Sequence, residues 1–432
     1  MERQRNNNSF ENKTEQEDLA LLIESAELPE ESSVKEHCIY RVPQKVRQIK
    51  EAAYTPRVVS IGPFHHGEKR LKLMEPLKLG YLKSFLQGTG LTSQYCISKL
   101  KEWELGIRNC YAESIPLESD VFLKMILIDA GFIIELFLRY CDVRNWVKRD
   151  PLFLKPWLAE DVAHDLILLE NQLPFLVLEG LFNLATANFV TADLPTFLQL
   201  TLNYFADLNP QKLQPDGVSL RHFTDLLRKF YLPPSEGLQE RSEVGNILDH
   251  LYTASELVEA GLRFKVDKTK KCLLELQYHK GVLTMPRLDV SDRTEFHLRN
   301  IVAFEQAHYS SETYITDYLK VLDFLVDTDK DVNVLVHKGI ITTLLGDSNE
   351  VATMINRLCS NLIQPNMNLE YLFICKQLND FYDKPVNKWK AGMIRNYFDT
   401  PVKTATSIAA MVLLILTAIQ TVCTVIPLVK SN

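Results

Sequence analysis

The stretch from Thr404 to Val429 carries no charged residue, and it constrains the fold more than any other feature of the chain. A helix needs roughly 20 apolar residues to cross the hydrocarbon core of a bilayer, and residues 408–426 supply about that length. Pro401 suits the first helical position because no amide hydrogen is needed there, and Thr400 can cap the helix. We therefore predict a transmembrane anchor at Thr404–Val429. A core helix buried inside the body is the alternative.

Basic residues flank this anchor unevenly, and their distribution predicts its orientation. Most of them precede the anchor and only Lys430 follows it, so the positive-inside rule places the N-terminal body in the cytosol. We expect post-translational insertion, as in a tail-anchored protein, into the plasma membrane or an endomembrane. The preceding basic residues are Lys384, Lys388, Lys390, Arg395 and Lys403, against the acids Asp383 and Asp399.

The formal net charge of −7 over 432 residues is concentrated near the N-terminus. Residues 1–33 are rich in Glu and poor in apolar side chains, so we expect a disordered acidic tail there. The remainder is close to neutral, whereas a nucleic-acid binder needs a basic surface to contact phosphates. The N-terminus also lacks the basic and apolar regions of a signal peptide. We therefore expect neither nucleic-acid binding nor translocation of the body.

Cysteine usage and short motifs exclude several common classes of site. The eight cysteines show no CxxC spacing, and in a reducing cytosol they are expected to be small buried hydrophobes, without a disulfide or a metal. The chain has no P-loop, GxGxxG, GxSxG or kinase signature, so the common nucleotide and hydrolase machinery is absent. No cofactor is predicted. An enzyme of an unusual type stays possible.

Between the tail and the anchor, residues 34–400 are predicted to form a mainly α, multi-helix globular body. Apolar residues recur every three or four positions, as helices require. The period changes to two only at about 261–290, which predicts a small β insertion of a hairpin or three strands. Predicted helices, besides a short one opened by Pro43, are 71–86, 93–111, 121–140, 157–170, 174–182, 247–260, 291–306, 312–327, 332–337, 349–362 and 369–398, the last broken near Pro385.

Two further predictions concern the centre and the surface of the body. The helices 157–170 and 174–182 are rich in apolar residues, so we expect them to be buried and joined by a tight turn at residues 170–173. The polar stretches 206–216 and 232–245 are expected to be mobile surface segments.

Several long motifs follow one another in fixed order, and together they resemble the plant family catalogued as domain of unknown function 247. The resemblance extends from about Cys38 to the end of the chain. The motifs are Cys38-Ile39-Tyr40-Arg41-Val42-Pro43, Tyr54-Thr55-Pro56, Val59-Ser60-Ile61-Gly62-Pro63-Phe64-His65-His66-Gly67, Asp165-Leu166-Ile167-Leu168-Leu169-Glu170-Asn171-Gln172-Leu173-Pro174-Phe175, Asn300-Ile301-Val302-Ala303-Phe304-Glu305-Gln306 and Leu416-Thr417-Ala418-Ile419-Gln420-Thr421-Val422.

The resemblance implies a land-plant protein with a C-terminal membrane span and no established catalytic activity. Some members of that family are implicated in pollen and stigma self-recognition in grasses. Phe64 departs from the pattern because many members have Tyr there, which weakens any role for a hydroxyl at that position. The motif positions carried over as candidate site residues are Arg41, Pro43, Gly62, Pro63, His65, His66, Gly67, Asp165, Glu170, Asn171, Gln172, Pro174, Glu305 and Gln306.

Adjacent His65 and His66 are the obvious candidates for metal binding or catalysis. Zinc needs about four ligands, and neighbouring side chains on extended backbone point to opposite sides, so other residues would have to complete the site. No HExxH motif or paired cysteine supplies them, and we predict no metal. The favoured interpretation is that the histidines hold the Gly62-Pro63 turn through hydrogen bonds.

Glu170-Asn171-Gln172 has two interpretations as well. A desolvated carboxylate with a raised pKa would suit a general base. Alternatively, these buried polar side chains bind backbone groups left without partners where one helix ends and another begins. The second interpretation is favoured.

Two functional hypotheses follow from the sequence. The first is a membrane-tethered, non-enzymatic module for interaction, recognition or signalling, with an unidentified protein partner. The second is an enzyme of unknown type using His65, His66, Glu170 and Glu305, and it requires these residues to meet in a pocket open to solvent.

Overall fold

The computed structural model describes residues 37–187, 194–233, 240–269, 272–398 and 400–430, with side chains as far as 423. The predicted tail at residues 1–33 lies outside this range, as do residues 234–239 of one predicted mobile segment. The described chain is mainly α, with seventeen α-helices and five short strands, which confirms the predicted fold class.

The N-terminal half of the body packs around α4, which runs from Ser119 to Cys141 and is buried along most of its length. Gly131 does not interrupt this helix. A Cβ at Gly131 would collide with Leu82, so the glycine lets the helix that carries Leu82 approach closely. The helices of this half are α1 Gln44–Arg47, α2 Glu75–Thr89, α3 Ser93–Asn109, α4 Ser119–Cys141, α5 Val143–Trp146, α6 Pro156–Asp165, α7 Phe175–Thr186, α8 Phe197–Tyr204 and α9 Phe223–Tyr231, with 3₁₀ turns at Glu51–Ala53, Lys69–Met74 and Ala206–Leu208.

The second half combines helices with the predicted β insertion. Its helices are α10 Ala254–Glu259, α11 Asp292–His308, α12 Tyr314–Leu325, α13 Asp329–His337, α14 Ser348–Leu358, α15 Leu369–Tyr382, α16 Pro385–Met393 and α17 Pro401–Lys430, with a π-helical turn at Ile394–Phe398. Its strands are β1 Arg263–Asp267, β2 Gln277–His279, β3 Val282–Pro286, β4 Leu288–Val290 and β5 Ile341–Thr343.

The sheets are small and buried on one side. β2 and β3 form an antiparallel hairpin around Lys280 and Gly281, and β1 adds to it parallel to β3, with Phe264 opposite Leu283. β4 pairs in parallel with β5, a strand that the sequence did not predict.

The helix predicted at 247–260 is wrong over its first part, because α10 begins only at Ala254. Thr253 forms a capping box with Glu256 and so fixes the start. The residues before it are held by tertiary contacts instead, since the Gly245 amide donates to the Pro365 carbonyl over 2.8 Å and the Asn379 amide group donates to the His250 carbonyl over 2.8 Å.

The polar segment 206–216 is tied to the body through Gln211. Its side-chain amide donates hydrogen bonds of 2.8 Å to the carbonyls of Phe230 and Leu232, at the end of α9. These two hydrogen bonds from Gln211 therefore hold the segment against the body.

The predicted break near Pro385 separates α15 from α16, and α17 follows after a further turn. Within the described residues, Pro401–Cys423 is the one helix long and apolar enough to cross a membrane by length and composition, and none of it is buried. Leu413, Leu414 and Leu416 are all exposed. The alternative of a helix buried in the body is therefore wrong.

Candidate functional site

The central motif folds differently from the prediction, because α6 ends at Asp165 and not at Glu170. Residues 166–174 form an irregular joint before α7 starts at Phe175, with Pro174 at its N-cap. This joint lies against the loop of residues 57–67, which carries the Gly-Pro and His-His motifs. Side chains of the joint bind the backbone of the loop, and these contacts define the candidate site.

Asp165 binds the start of the loop. The amides of Arg57, Val58 and Val59 donate to its carboxylate over 2.7, 2.7 and 2.9 Å. The side chain is fully buried, and burial raises the pKa of Asp165 to about 6 although the three amides oppose that shift. A carboxylate placed in this way accepts hydrogen bonds from three consecutive backbone amides that have no acceptor in a helix or a strand.

Asn171 and Gln172 complete the attachment. Asn171 accepts from the Ile61 amide over 2.8 Å and donates to the carbonyls of Val59 and Asp165. Gln172 donates to carbonyls of its own joint, at Leu166 and Leu168, and accepts from the first amide of α9. Both side chains are buried and use their donors and acceptors on backbone, as predicted for a structural role.

Glu170 binds the N-terminal segment. Its Oε1 accepts from the Val42 amide over 2.8 Å, and its Oε2 lies 2.8 Å from the Arg47 guanidinium and 3.9 Å from that of Arg41. Burial alone would raise the pKa of Glu170, but His65, the Val42 amide and Arg47 together hold it below its ordinary value. The geometry therefore favours a carboxylate that is ionised at neutral pH and not a general base.

The two histidines separate. His65 is 4% exposed, with Nδ1 2.6 Å from Glu68 and Nε2 3.6 Å from Glu170 Oε2, beyond a normal hydrogen bond. His66 is exposed and lies on the surface beside Lys78 and Lys124. Only His65 therefore approaches Glu170. Among the described residues, no three His, Cys, Asp or Glu side chains are grouped so as to hold a metal ion.

The turn at Gly62 and Pro63 in the loop 57–67 depends on glycine. Gly62 has φ +72°, and a Cβ there would lie far inside contact with the Gln172 carbonyl oxygen. The Gly62 amide donates to Asp129 over 2.8 Å, and the Pro63 carbonyl accepts from the His66 amide. Gly67 also has a positive φ, of 81°, but has open space around it.

The third motif reaches the joint only in part. Asn300 accepts from the Leu169 amide over 2.9 Å, and Phe304 packs in a cluster with Val42 and Leu169. Glu305 and Gln306 point elsewhere. Glu305 binds Arg228 and the amides of Ile315 and Thr316, and Gln306 accepts from the Ile363 amide.

The comparison with known families fits this order of motifs. The sequence profile of DUF247, described as plant protein of unknown function, matches residues 39–416. The chain belongs to the DUF247 family. It is 28% identical over 423 residues to the UPF0481 protein At3g47200 of Arabidopsis thaliana, covering 90% of this chain and 87% of the relative. It is 22% identical to the UPF0481 protein At3g02645 of the same plant, covering 88% and 89%. No solved structure matches significantly.

This DUF247 chain also contains a buried ion pair that the sequence analysis missed. Lys78 and Asp129 are each 1% exposed, and their charged atoms lie 2.6 Å apart. Lys78 also donates to the Ser60 carbonyl over 2.9 Å, so the ion pair is hydrogen-bonded to the backbone of the loop 57–67. A signal was available, because Lys78 shares a helical face with apolar Tyr81, Leu82 and Phe85.

A cleft of about 510 Å³ opens beside the joint of the DUF247 body, within the size range of small-molecule sites. His164 and His297 line it, and burial lowers their pKa values to about 4 and about 3, so both rings are neutral near pH 7. Neither Glu170 nor His65 lines this cleft. The residues proposed for an enzyme therefore lie outside it.

Proposed function

We propose that this chain is a membrane-tethered, non-enzymatic module for protein interaction or recognition, with its body in the cytosol. The observation that carries the proposal is the exposure of α17. A run of side chains such as Leu413, Leu414 and Leu416 costs about 25 cal/mol for every Å² of apolar surface left in water. A bilayer removes that cost, because lipid tails surround the whole helix.

The basic flank supports the cytosolic placement. Lys384, Lys388 and Lys403 precede or open the apolar run and are exposed, and Lys430 is the one charged residue at its far end. The positive-inside rule applies to residues within about 15 to 20 positions of a span, which includes this group.

The motif chemistry supports a non-enzymatic role. Asp165, Asn171 and Gln172 form hydrogen bonds to backbone groups. Glu170 pairs with Arg47 and accepts from the Val42 amide. A catalytic group has to be within reach of a substrate proton or carbonyl. The rival enzyme would have to break these contacts or work without them.

Tethering gives weak contacts a functional effect. Holding a body at a surface raises the effective concentration of partners on the same surface, so modest affinities suffice. The partner is a protein, and the proposal includes the recognition role implied for some relatives of this family.

Proximity labelling tests the proposal. A promiscuous biotin ligase is fused to the N-terminus of the full chain and compared with the same fusion carrying Leu413→Arg and Leu416→Arg. Each arginine at the centre of a span costs roughly 2.5 to 3.5 kcal/mol of insertion free energy. The unsubstituted chain is expected to label a small reproducible set of proteins that the variant does not. Identical sets, or bulk membrane proteins alone, would contradict the proposal.

A further inference from the structure

The helix α16, Pro385–Met393, exposes apolar side chains on one face. Val386 is 74% exposed and Trp389 67% exposed, and Met393 continues the same face at helical spacing. The opposite face contacts the body, because Ala391 is buried and Arg395, in the following π-helical turn, pairs with Glu256 and Glu259 of α10. The exposed face has no partner among the described residues of the body.

α16 does not continue in line with α17. The Ser407 hydroxyl donates to the Tyr397 carbonyl over 2.9 Å, and the Thr404 hydroxyl donates to the Phe398 carbonyl over 3.3 Å. In one straight helix, residues 397 and 407 would be about 15 Å apart along the axis. The chain therefore turns sharply, and the end of the π-helical turn lies level with the start of the apolar helix.

Lysines lie at the start of α16 and along its length. Lys384, Lys388 and Lys390 are all exposed, and the acids close to them in sequence are Asp380 and Asp383, the latter 3.4 Å from Lys388. Lys390 lies over Gly261, next to the start of β1. Tryptophan beside lysine is the composition of helices that lie in the headgroup region, where the indole body is apolar and the ammonium group stays in water.

We propose that α16 lies in the plane of an anionic membrane surface, with Val386 and Trp389 inserted at the headgroup boundary and Lys384 and Lys388 against lipid phosphates. This inference rests on the proposed membrane anchoring. The occupant is a lipid surface because a span that begins just after residue 401 brings a bilayer alongside this turn. Cytoplasmic leaflets are anionic, and juxtamembrane lysines are attracted to them.

Tryptophan quenching in liposomes tests the inference on the full chain. Liposomes contain phosphatidylcholine and phosphatidylserine with brominated acyl chains, which quench only tryptophans at or within the bilayer. The chain has four tryptophans, and Trp157 is a matched control because it is also exposed, at 59%, but lies on α6 of the body. Both substitutions are at exposed positions, and unchanged melting temperatures verify the fold of Trp389→Phe and Trp157→Phe.

The expected result is quenching in the unsubstituted protein and in Trp157→Phe, and its loss in Trp389→Phe. The variant Lys384→Gln/Lys388→Gln is expected to show weaker quenching in anionic liposomes and no change in neutral ones. Equal quenching in the unsubstituted protein and Trp389→Phe would overturn the inference, as would solvent-exposed Trp389 emission in liposomes, the outcome for a face that binds a protein. Protein that does not float with liposomes would instead refute the anchoring itself.

Discussion

The Arg47 guanidinium lies 2.8 Å from Glu170 Oε2, although 123 residues separate the two in sequence. The contact ties the segment that contains α1 to the joint between α6 and α7. The same carboxylate accepts from the Val42 amide, so one residue holds both the segment before α1 and the last residue of that helix. The candidate site is thus a set of hydrogen bonds and ion pairs between segments far apart in sequence.

Glu170→Gln is expected to lower the free energy of unfolding by roughly 1 to 3 kcal/mol, because an amide nitrogen then faces the half-buried Arg47 or the buried His65. Chemical denaturation in detergent measures it. The control is Glu113→Gln, since Glu113 is 52% exposed and pairs with Arg41 at the surface, where the loss is expected within about 0.5 kcal/mol. Unchanged stability of Glu170→Gln would argue against the structural role and revive the enzyme hypothesis.

Gly62→Ala and Gly67→Ala form a pair that separates backbone strain from collision. Both residues have positive φ, so each alanine costs about 1 to 2 kcal/mol of strain. Only at Gly62 does the new methyl group meet a backbone carbonyl, that of Gln172, which adds roughly 1 to 3 kcal/mol. Thermal unfolding should show the larger loss for Gly62→Ala, and equal losses would contradict the close approach of loop and joint.

The stability losses caused by substituting Lys78 and Asp129 are expected to be strongly non-additive in a double-mutant cycle. Removing one partner, as in Lys78→Met, leaves a buried charge unpaired and is expected to cost about 3 to 5 kcal/mol. In Lys78→Met/Asp129→Asn the asparagine still accepts from the Gly62 amide and carries no charge. The double variant should therefore be more stable than the sum of the single losses predicts. Additive losses in a double-mutant cycle would show that the pair is not coupled.

His222 predicts a pH dependence with a definite sign. Its Nε2 donates to the Cys38 carbonyl over 2.8 Å and its Nδ1 accepts from the Asp225 amide, so the folded ring is neutral. Burial lowers its pKa from 6.5 to about 4. Between those values the unfolded chain binds a proton that the folded chain does not, so stability falls as pH falls from 6.5 to 4.

The contribution of His222 over that window is about 3 kcal/mol, at about 1.4 kcal/mol for each pKa unit. His222→Asn keeps an acceptor at the N-cap of α9 and removes the titrating ring. Urea titrations at a series of pH values are expected to give a shallower loss for this variant. Parallel curves for both proteins would contradict a neutral buried His222.

The sequence allowed prediction where one segment determines its own structure. The uncharged run, the break at Pro385 and the β2–β3 hairpin around Gly281 follow from local composition and period. The short strand Ile341–Thr343 has no such period, and it exists because β4 passes beside it.

The candidate site shows the same limit. The polar residues of the joint stood out in the sequence because they occur within runs of apolar residues. Asp129 likewise lies within the apolar sequence of α4. Their partners could not be predicted, since Asp165 ends α6 by binding amides more than 100 residues earlier in the chain. The predicted end of α6 at Glu170 failed because helical period continues through residues whose backbone is held by tertiary contacts.

The most direct test of the account is protease protection of the full chain, tagged at both ends, in intact microsomes, followed by washing with alkaline carbonate. We predict that protease removes the N-terminal tag and the body, while a fragment containing Pro401–Cys423 and the C-terminal tag stays protected and resists carbonate. Release of the intact chain by carbonate, or protection of the N-terminal tag, would contradict a cytosolic body held by a membrane-spanning helix.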